Sequence, residues 1–257
     1  AIWRKERSDM EAYALTDTGR VRSMNQDYIY ASPEKVGFLP DLFLVADGMG
    51  GHKAGDYASR FMVENLVVYL NHRQNGPCVT QLKEGIKTVN KALYEMSLER
   101  EEFQGMGCTL VAAVIEEGIL YAANVGDSRL YLIHDGAIRQ ITRDHSYVEE
   151  MVAMGMMQRG SADYNRKKNI ITRAAGIKPD IEPDFFEEEL EQGDYILLCS
   201  DGLSNMVDND TMCSIVLSEG TLKEKAVRLI AEANKRGGTD NIAVVLVKPQ
   251  EGGMGSC

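Results

Sequence analysis

The sequence is short of positive charge. It carries 28 Lys plus Arg against 39 Asp plus Glu, a formal net charge of −11. An acidic surface repels phosphate backbones and anionic headgroups, so nucleic-acid and anionic-membrane partners are not expected, although one local basic pocket stays compatible with this balance. Long apolar runs are missing as well. No stretch of ~18 apolar residues occurs, so no membrane span is expected. The opening residues, AIWRKERSDM, lack the apolar core of a secretory signal, and a cytoplasmic protein is the expectation. Cysteines are few and unpaired in pattern. The five, Cys78, Cys108, Cys199, Cys213 and Cys257, are odd in number, widely spaced and form no Cys-x-x-Cys pair. That argues against a disulfide framework or a thiolate zinc site and favours reduced thiols. Cys108 and Cys199 lie in apolar runs, where free Cys acts as a small hydrophobe. Prolines number six, and no Pro- or Ser-rich linker, internal repeat or low-complexity tract divides the chain. One domain over residues 1–257 is the simplest organisation, with a core at about 10–248 and a short tail at each end.

What is present is the balance of a globular protein, with 44% hydrophobic and 26% charged residues. Glu11 to Thr16, Tyr28 to Ala31 and Leu42 to Ala46 read as strands. Ala54, Ala58, Phe61, Met62, Asn65, Leu66 and Tyr69 recur at helix spacing, as do Leu82, Ile86, Val89, Leu93 and Met96. A meander follows, with strands at Thr109 to Ile115, Ile119 to Ala123, Leu130 to Ile133 and Ile138 to Ile141. Glu117-Gly118 and Asp135-Gly136 stand where tight hairpin turns belong. Ser146 to Met154 suits a short helix. Gly155 to Asn169 is polar and basic toward its end, and reads as a mobile loop. Phe185 to Leu190, Tyr195 to Leu198 and Ile242 to Val247 are further strands, with an amphipathic helix at Thr221 to Lys235. This is not the steady alternation of a doubly wound parallel sheet. Hairpin runs interrupted by helix pairs predict an α+β layered sandwich of antiparallel sheets with helices outside.

Aspartates collect at the ends of the apolar strands. Asp47 follows LFLVA, Asp127 follows LYAANVG, Asp201 follows YILLCS, and Asp240 stands just ahead of IAVVLV. A strand end holds a carboxylate rigidly where sheet meets solvent, and adjacent glycines let a ligand or backbone come close. Carboxylates converging there repel one another unless cations neutralise them. All-oxygen donors suit Mg²⁺ or Mn²⁺, whereas His or Cys would suit zinc. Asp-Gly is also an ordinary turn, the role given above to Asp135-Gly136, so any one pair keeps both readings open.

The combination resembles a known family. Thr16-Asp17-Thr18-Gly19-Arg20-Val21-Arg22-Ser23-Met24-Asn25-Gln26-Asp27 and Val45-Ala46-Asp47-Gly48-Met49-Gly50-Gly51-His52 are similar to the opening of the metal-dependent type 2C Ser/Thr protein phosphatases, in their bacterial branch. Gly107-Cys108-Thr109-Leu110, Asn124-Val125-Gly126-Asp127-Ser128-Arg129, Arg143-Asp144-His145-Ser146, Ser200-Asp201-Gly202-Leu203 and Gly238-Thr239-Asp240-Asn241 follow in matching order, so the resemblance spans roughly Met10 to Val247. It implies a four-layer αββα fold, two antiparallel sheets between helix layers. It implies two Mn²⁺ or Mg²⁺ ions, with Asp47 bridging them, the Gly48 carbonyl on the first, and Asp201 and Asp240 on the second. Asp127, with Asp201, resembles the ligands of a weaker third ion. Asp27 would steady metal-bound water, and Arg22 would bind the substrate phosphate, where a planar fork serves better than an ammonium. The implied reaction is hydrolysis of phosphoserine and phosphothreonine by direct attack of a metal-bridging hydroxide, without a phospho-enzyme. The implied partners are phosphoproteins, namely a Ser/Thr kinase and its substrates, and a monomer is the expected state.

Three places depart from the family wording or stay open. Many relatives have a histidine directly after the Asp-Gly pair. Here Met49 stands there, and His52 comes three residues later. His52 is a candidate acid for the leaving group, or it caps the following helix; a water on a metal is the other candidate acid. His145 reads as structural. Residues 146–169 match the position of the family's flap. Asn165 and Arg166 stand where bacterial relatives often carry His-Pro. Arg159, Arg166, Lys167 and Lys168 make the flap the most basic part of the chain, either a solvated loop or a guide for phosphoprotein.

Rival chemistries lack their parts. No cysteine has an Arg six residues on, as a Cys-x5-Arg phosphatase needs, and no Gly-Lys occurs for a P-loop. Asp17-Thr18-Gly19 is a single copy, and a single-chain aspartic protease needs two. The remaining rival is a non-catalytic phosphoprotein-binding module on the same fold. The presence of Arg22, Asp47, Asp201 and Asp240 together favours catalysis.

Overall fold

The computed structural model describes residues 10–51 and 54–249. The chain opens with β1 (Glu11–Asp17), β2 (Asp27–Ser32) and β3 (Leu42–Met49), then helices α1 (Ala54–Asn71) and α2 (Cys78–Glu99). A meander runs through β4 (Gly107–Cys108), β5 (Leu110–Glu116), β6 (Ile119–Val125), β7 (Arg129–His134) and β8 (Ala137–Gln140). Next come α3 (Tyr147–Ala153), α4 (Ala162–Lys167), β9 (Asp184–Glu189) and β10 (Tyr195–Cys199). Helices α5 (Asp201–Ser204), α6 (Asn209–Leu217) and α7 (Leu222–Lys235) precede the final strand β11 (Ile242–Lys248).

The strands form two sheets, ordered β1-β11-β10-β7-β8 and β2-β3-β5-β6-β9, with β4 paired to β3. Every pairing is antiparallel. Because side chains alternate along a strand, each central strand feeds two cores. On β3, Phe43 and Val45 enter the layer between the sheets, while Leu42, Leu44 and Ala46 face the layer under α1 and α2. On β11, Ala243, Val245 and Val247 enter the same middle layer, while Ile242, Val244 and Leu246 pack with α6 and α7 residues. Three stacked cores make four layers, the αββα arrangement. Each large side chain so buried contributes about 1.5–3 kcal/mol of hydrophobic stabilisation.

The hairpin turns fall where expected. Glu117-Gly118 and Asp135-Gly136 all have positive φ, at 53° and 83° and at 43° and 80°, the backbone of a two-residue hairpin turn. The region read as a mobile loop differs. Residues 155–169 contain α4, started by Ser161, whose side chain accepts from the Tyr164 amide. An N-cap of this kind organises even a short polar helix, which carries no apolar periodicity to reveal it. The short helix α5 follows directly on β10, and α6 starts at Asp208, whose side chain accepts from the Thr211 amide, so neither rests on a long apolar stripe.

Candidate active site

The ends of the two sheets bring five aspartates together. Asp47 lies near the end of β3, and its register partner across the ladder is Asp27 at the start of β2. Gly48 follows, its amide donating to the Gln26 carbonyl at 3.0 Å. A Cβ at Gly48 would stand 2.0 Å from the Gly55 carbonyl oxygen, so only glycine lets the start of α1 pack here. In the other sheet β10 ends at Cys199, Ser200 follows and Asp201 opens α5, while Asp240 precedes β11. A Cβ at Gly202 would meet the Asn241 oxygen at 1.9 Å, so glycine again sets the approach of the Asp201 and Asp240 segments. Asp127 follows β6 on the turn through Gly126.

Three residues outside the predicted set do the aligning. Asn241 donates its amide to the Thr18 and Met24 carbonyls at 2.8 and 2.9 Å and accepts from the Gln26 amide at 2.9 Å. It staples the β1–β2 loop, which carries Arg22, to the segment carrying Asp240. Ser200 donates to Asp27 Oδ2 at 2.6 Å. Thr109 accepts from the Asp47 amide at 3.0 Å and donates its own amide to the Asp47 carbonyl at 2.8 Å. All three sit inside the motifs quoted above. Their position there was the available signal, and their roles depend on contacts across both sheets.

The electrostatics of this cluster are those of crowded anions. Burial, with repulsion from Asp201 and Asp240, pushes the Asp27 carboxyl up to about 8, against a hydrogen bond from Ser200 that lowers it. Burial and repulsion from Asp27, Asp201, Asp127 and Asp240 hold Asp47 well above the carboxylate range. Burial and Asp201 push Asp127 up to about 7, and burial and Asp240 push Asp201 up to about 6. Asp27 Oδ1, Asp127 Oδ1 and Asp201 Oδ1 are buried and find no hydrogen-bond partner among the described residues. A buried carboxylate oxygen without a partner is costly, and a divalent cation removes that cost and the repulsion together. Among the described residues no three His, Cys, Asp or Glu side chains already close around one metal point. Magnesium-type sites need no such cage. They take one or two carboxylates and complete the shell with carbonyl oxygen and water. The donor set fits a hard divalent cation.

Arg22 reaches this cluster. Its Nη2 donates to Asp240 Oδ2 at 2.7 Å, and its side chain stays half exposed. His145 is elsewhere in role. It is buried, its Nδ1 accepts from the Gly126 amide at 3.0 Å, and its Nε2 lies 3.1 Å from Asp184 Oδ2, so it braces the turn that carries Asp127. His52 lies outside the described residues.

Residues 18–236 match the family model for protein phosphatase 2C. The chain belongs to the protein phosphatase 2C family. A putative protein phosphatase 2C-type from Streptococcus pyogenes is 40% identical over 241 residues, covering 93% of this chain and 97% of that one. The serine/threonine phosphatase stp of Listeria innocua is 40% identical over 248 residues, covering 93% and 96%. Among solved structures, the S. agalactiae serine/threonine phosphatase superposes with a TM-score of 0.88 at 38% identity, over 94% of this chain and all of that one. The catalytic domain of the serine/threonine phosphatase PstP in complex with two manganese ions superposes with a TM-score of 0.81 at 32% identity, covering 93% and 97%. This phosphatase 2C chain has the family's α+β fold and is a metal-dependent phosphoprotein phosphatase.

Proposed function

We propose that this phosphatase 2C protein hydrolyses phosphoserine and phosphothreonine in proteins, at the end of the sandwich where Asp27, Asp47, Asp127, Asp201 and Asp240 meet. The observation that carries the reading is the cluster of buried carboxylates with partnerless oxygens on Asp27, Asp127 and Asp201. Asp47, the Gly48 carbonyl, Asp201 and Asp240 would hold two divalent cations, Mn²⁺ or Mg²⁺. Asp127 with Asp201 would hold a weaker third. Bound there, the cations supply Lewis-acid polarisation of the phosphoryl group and activation of water.

The chain's own groups set the geometry for that chemistry. Arg22 carries five N–H donors, of which the contact with Asp240 uses one. Its exposed fork can take phosphate oxygens and hold phosphorus beside the carboxylates. Asp27 keeps Oδ2 on Ser200 and has Oδ1 available to accept from an attacking water. The Asn241 staple keeps the Arg22 loop and Asp240 in one register, which matters because small misplacements of a reacting group cost rate steeply. Kin to the chain are named Ser/Thr phosphatases, which supports phosphoproteins as substrates and a Ser/Thr kinase as the opposing partner. The buried thiols of Cys78, Cys108, Cys199 and Cys213 are free, as suits a cytoplasmic site of action.

The test is phosphate release from a phosphothreonine peptide with and without Mn²⁺, alongside Asp201→Asn. Wild-type release should require metal, and the variant should fall by at least a hundredfold while keeping its circular dichroism spectrum, since one metal ligand is worth several kcal/mol of charge stabilisation. Wild-type rates from Asp201→Asn would sink the assignment. No release by folded, metal-loaded wild type would favour a phosphoprotein-binding module instead.

A further inference from the structure

The flap encloses a cavity of about 210 Å³ beside the carboxylate cluster. Its floor is Asp127 and Asp201, and its outer wall is α4 with the residues just after it, including Tyr164, Asn165 and Lys168. At ~30 Å³ per water the space admits several waters or one short polar side chain. The wall is built rather than draped. Glu149 of α3 is buried, and its Oε1 accepts from the Tyr164 hydroxyl at 2.8 Å and from Arg159 Nε at 3.1 Å. The base of the flap is closed by backbone bonds, Tyr147 to Ile170 and Thr172 to His145, each 2.8 Å.

The structure sorts the flap's basic residues. Arg159 is bound to Glu149, Arg166 pairs with Asp163, and the Lys167 ammonium lies 5.4 Å over the Tyr147 ring. Arg129, on the cavity's inner side, is taken up by Asp144 through Nε at 3.0 Å and Nη2 at 2.7 Å. Lys168 lines the cavity and forms no ion pair among the described residues. Ser204 lines it too, its buried Oγ without a hydrogen-bond partner among them. Once cations neutralise Asp127 and Asp201, the ammonium is the net charge of the cavity, flanked by amide and hydroxyl donors.

We propose that this cavity is a subsite for an anionic side chain neighbouring the phosphorylated residue of the substrate, with Lys168 as its specificity-determining cation. The inference rests on the phosphatase reading above. The shared chemistry is a carboxylate or a second phosphate one side chain away from the scissile one. Asp201 links the two places: it lines the cavity and is repelled by Asp240, the carboxylate to which Arg22 donates.

The experiment compares phosphothreonine peptides at saturating Mn²⁺. One peptide carries only Ala around the phosphothreonine; the others carry Glu or a non-hydrolysable phosphonate analogue of phosphoserine at each of the two flanking positions on either side. Wild type should favour an acidic peptide over the Ala peptide in kcat/KM by roughly tenfold at one flank, the effect of one charge-assisted hydrogen bond. The Glu and phosphonate arms identify which anion fits. In Lys168→Met that ratio should collapse toward one, and in Lys168→Arg it should persist. A ratio near one in wild type at every position would overturn the subsite. So would an equal loss on every peptide in Lys168→Met with the ratio unchanged, because Lys168 would then serve only as a counter-charge to Asp201. Hydrolysis of the Ala peptide reports on the phosphatase reading separately, so the two cannot fail under one disguise.

Discussion

At the scale of single residues, the contact between Arg22 and Asp240 joins two roles. The guanidinium lies 2.7 Å from a carboxylate that the proposal gives to a cation, so under that proposal it would both receive phosphate and withhold charge from Asp240. Removing it should weaken phosphopeptide binding without weakening cation binding. In Arg22→Ala the KM for a phosphopeptide should rise by about tenfold, the loss of a charge-assisted phosphate contact. The Mn²⁺ concentration giving half activity should fall or stay level, because a competing positive charge has gone. A Mn²⁺ titration at several peptide concentrations separates the two. An unchanged KM would remove Arg22 from the phosphate site, and a weakened Mn²⁺ response would mean that Arg22 positions Asp240 rather than competing for it. Arg22→Lys should recover only part of the loss, since an ammonium cannot present a planar fork. None of this pairing is readable from the residues alone, which stand 218 positions apart.

At the scale of elements, the site depends on where strands stop and helices start. Gly202 is the tightest such junction. A side chain there would overlap the Asn241 carbonyl at 1.9 Å, and backbone cannot swing aside as a flexible side chain can. Gly202→Ala should separate the start of α5 from the start of β11, and with them Asp201 from Asp240. The expected outcome is a loss of stability of about 1–3 kcal/mol by denaturant melt and a larger proportional loss of Mn²⁺ affinity. Wild-type Mn²⁺ affinity would show that the junction does not set the metal site. The elements that were legible share one property, an apolar stripe with a clear period. The run LFLVA, the α1 pattern Ala54, Ala58, Met62 and Leu66, and the alternation on β11 all bury against a continuous core. The elements that escaped are the two-residue strand β4 and the helices α4, α5 and α6, whose lengths are 6, 4 and 9 residues. Short helices are fixed by caps and by the neighbours they dock on, which a local pattern carries weakly. The same reason explains the site: Asp47, Asp127, Asp201 and Asp240 could be seen at strand ends, but Asn241, Ser200 and Thr109 act through partners in the other strands.

At the scale of the whole molecule, folding concentrates negative charge that the unfolded chain spreads out. Asp27, Asp127 and Asp201 are raised to about 8, 7 and 6 in the metal-free fold, chiefly by burial. An unfolded aspartate titrates near 3.9. Below about pH 4 both states hold these protons, and the groups cost the fold nothing. As pH rises from about 4 to 8, the unfolded chain releases protons that the fold retains, so the metal-free protein loses stability across that window. Divalent cations bind the deprotonated carboxylates, so their stabilising effect must grow over the same interval. The melting temperature in saturating Mn²⁺ minus that in chelator should therefore be larger at pH 7.5 than at pH 5.5, by about 3 °C or more for a chain of this size. Other carboxylates, such as Asp208 held low by Arg236, move both curves alike and leave the difference untouched. Asp201→Asn supplies the control, because it removes one repelling charge and one of the proposed ligands together: its metal-free form should melt higher than wild type at pH 7.5, and its Mn²⁺ shift should shrink. A Mn²⁺ shift independent of pH, with the variant's metal-free form no more stable than wild type, would show that the carboxylate cluster is not where the cation acts, and the site would have to be sought elsewhere on the sandwich.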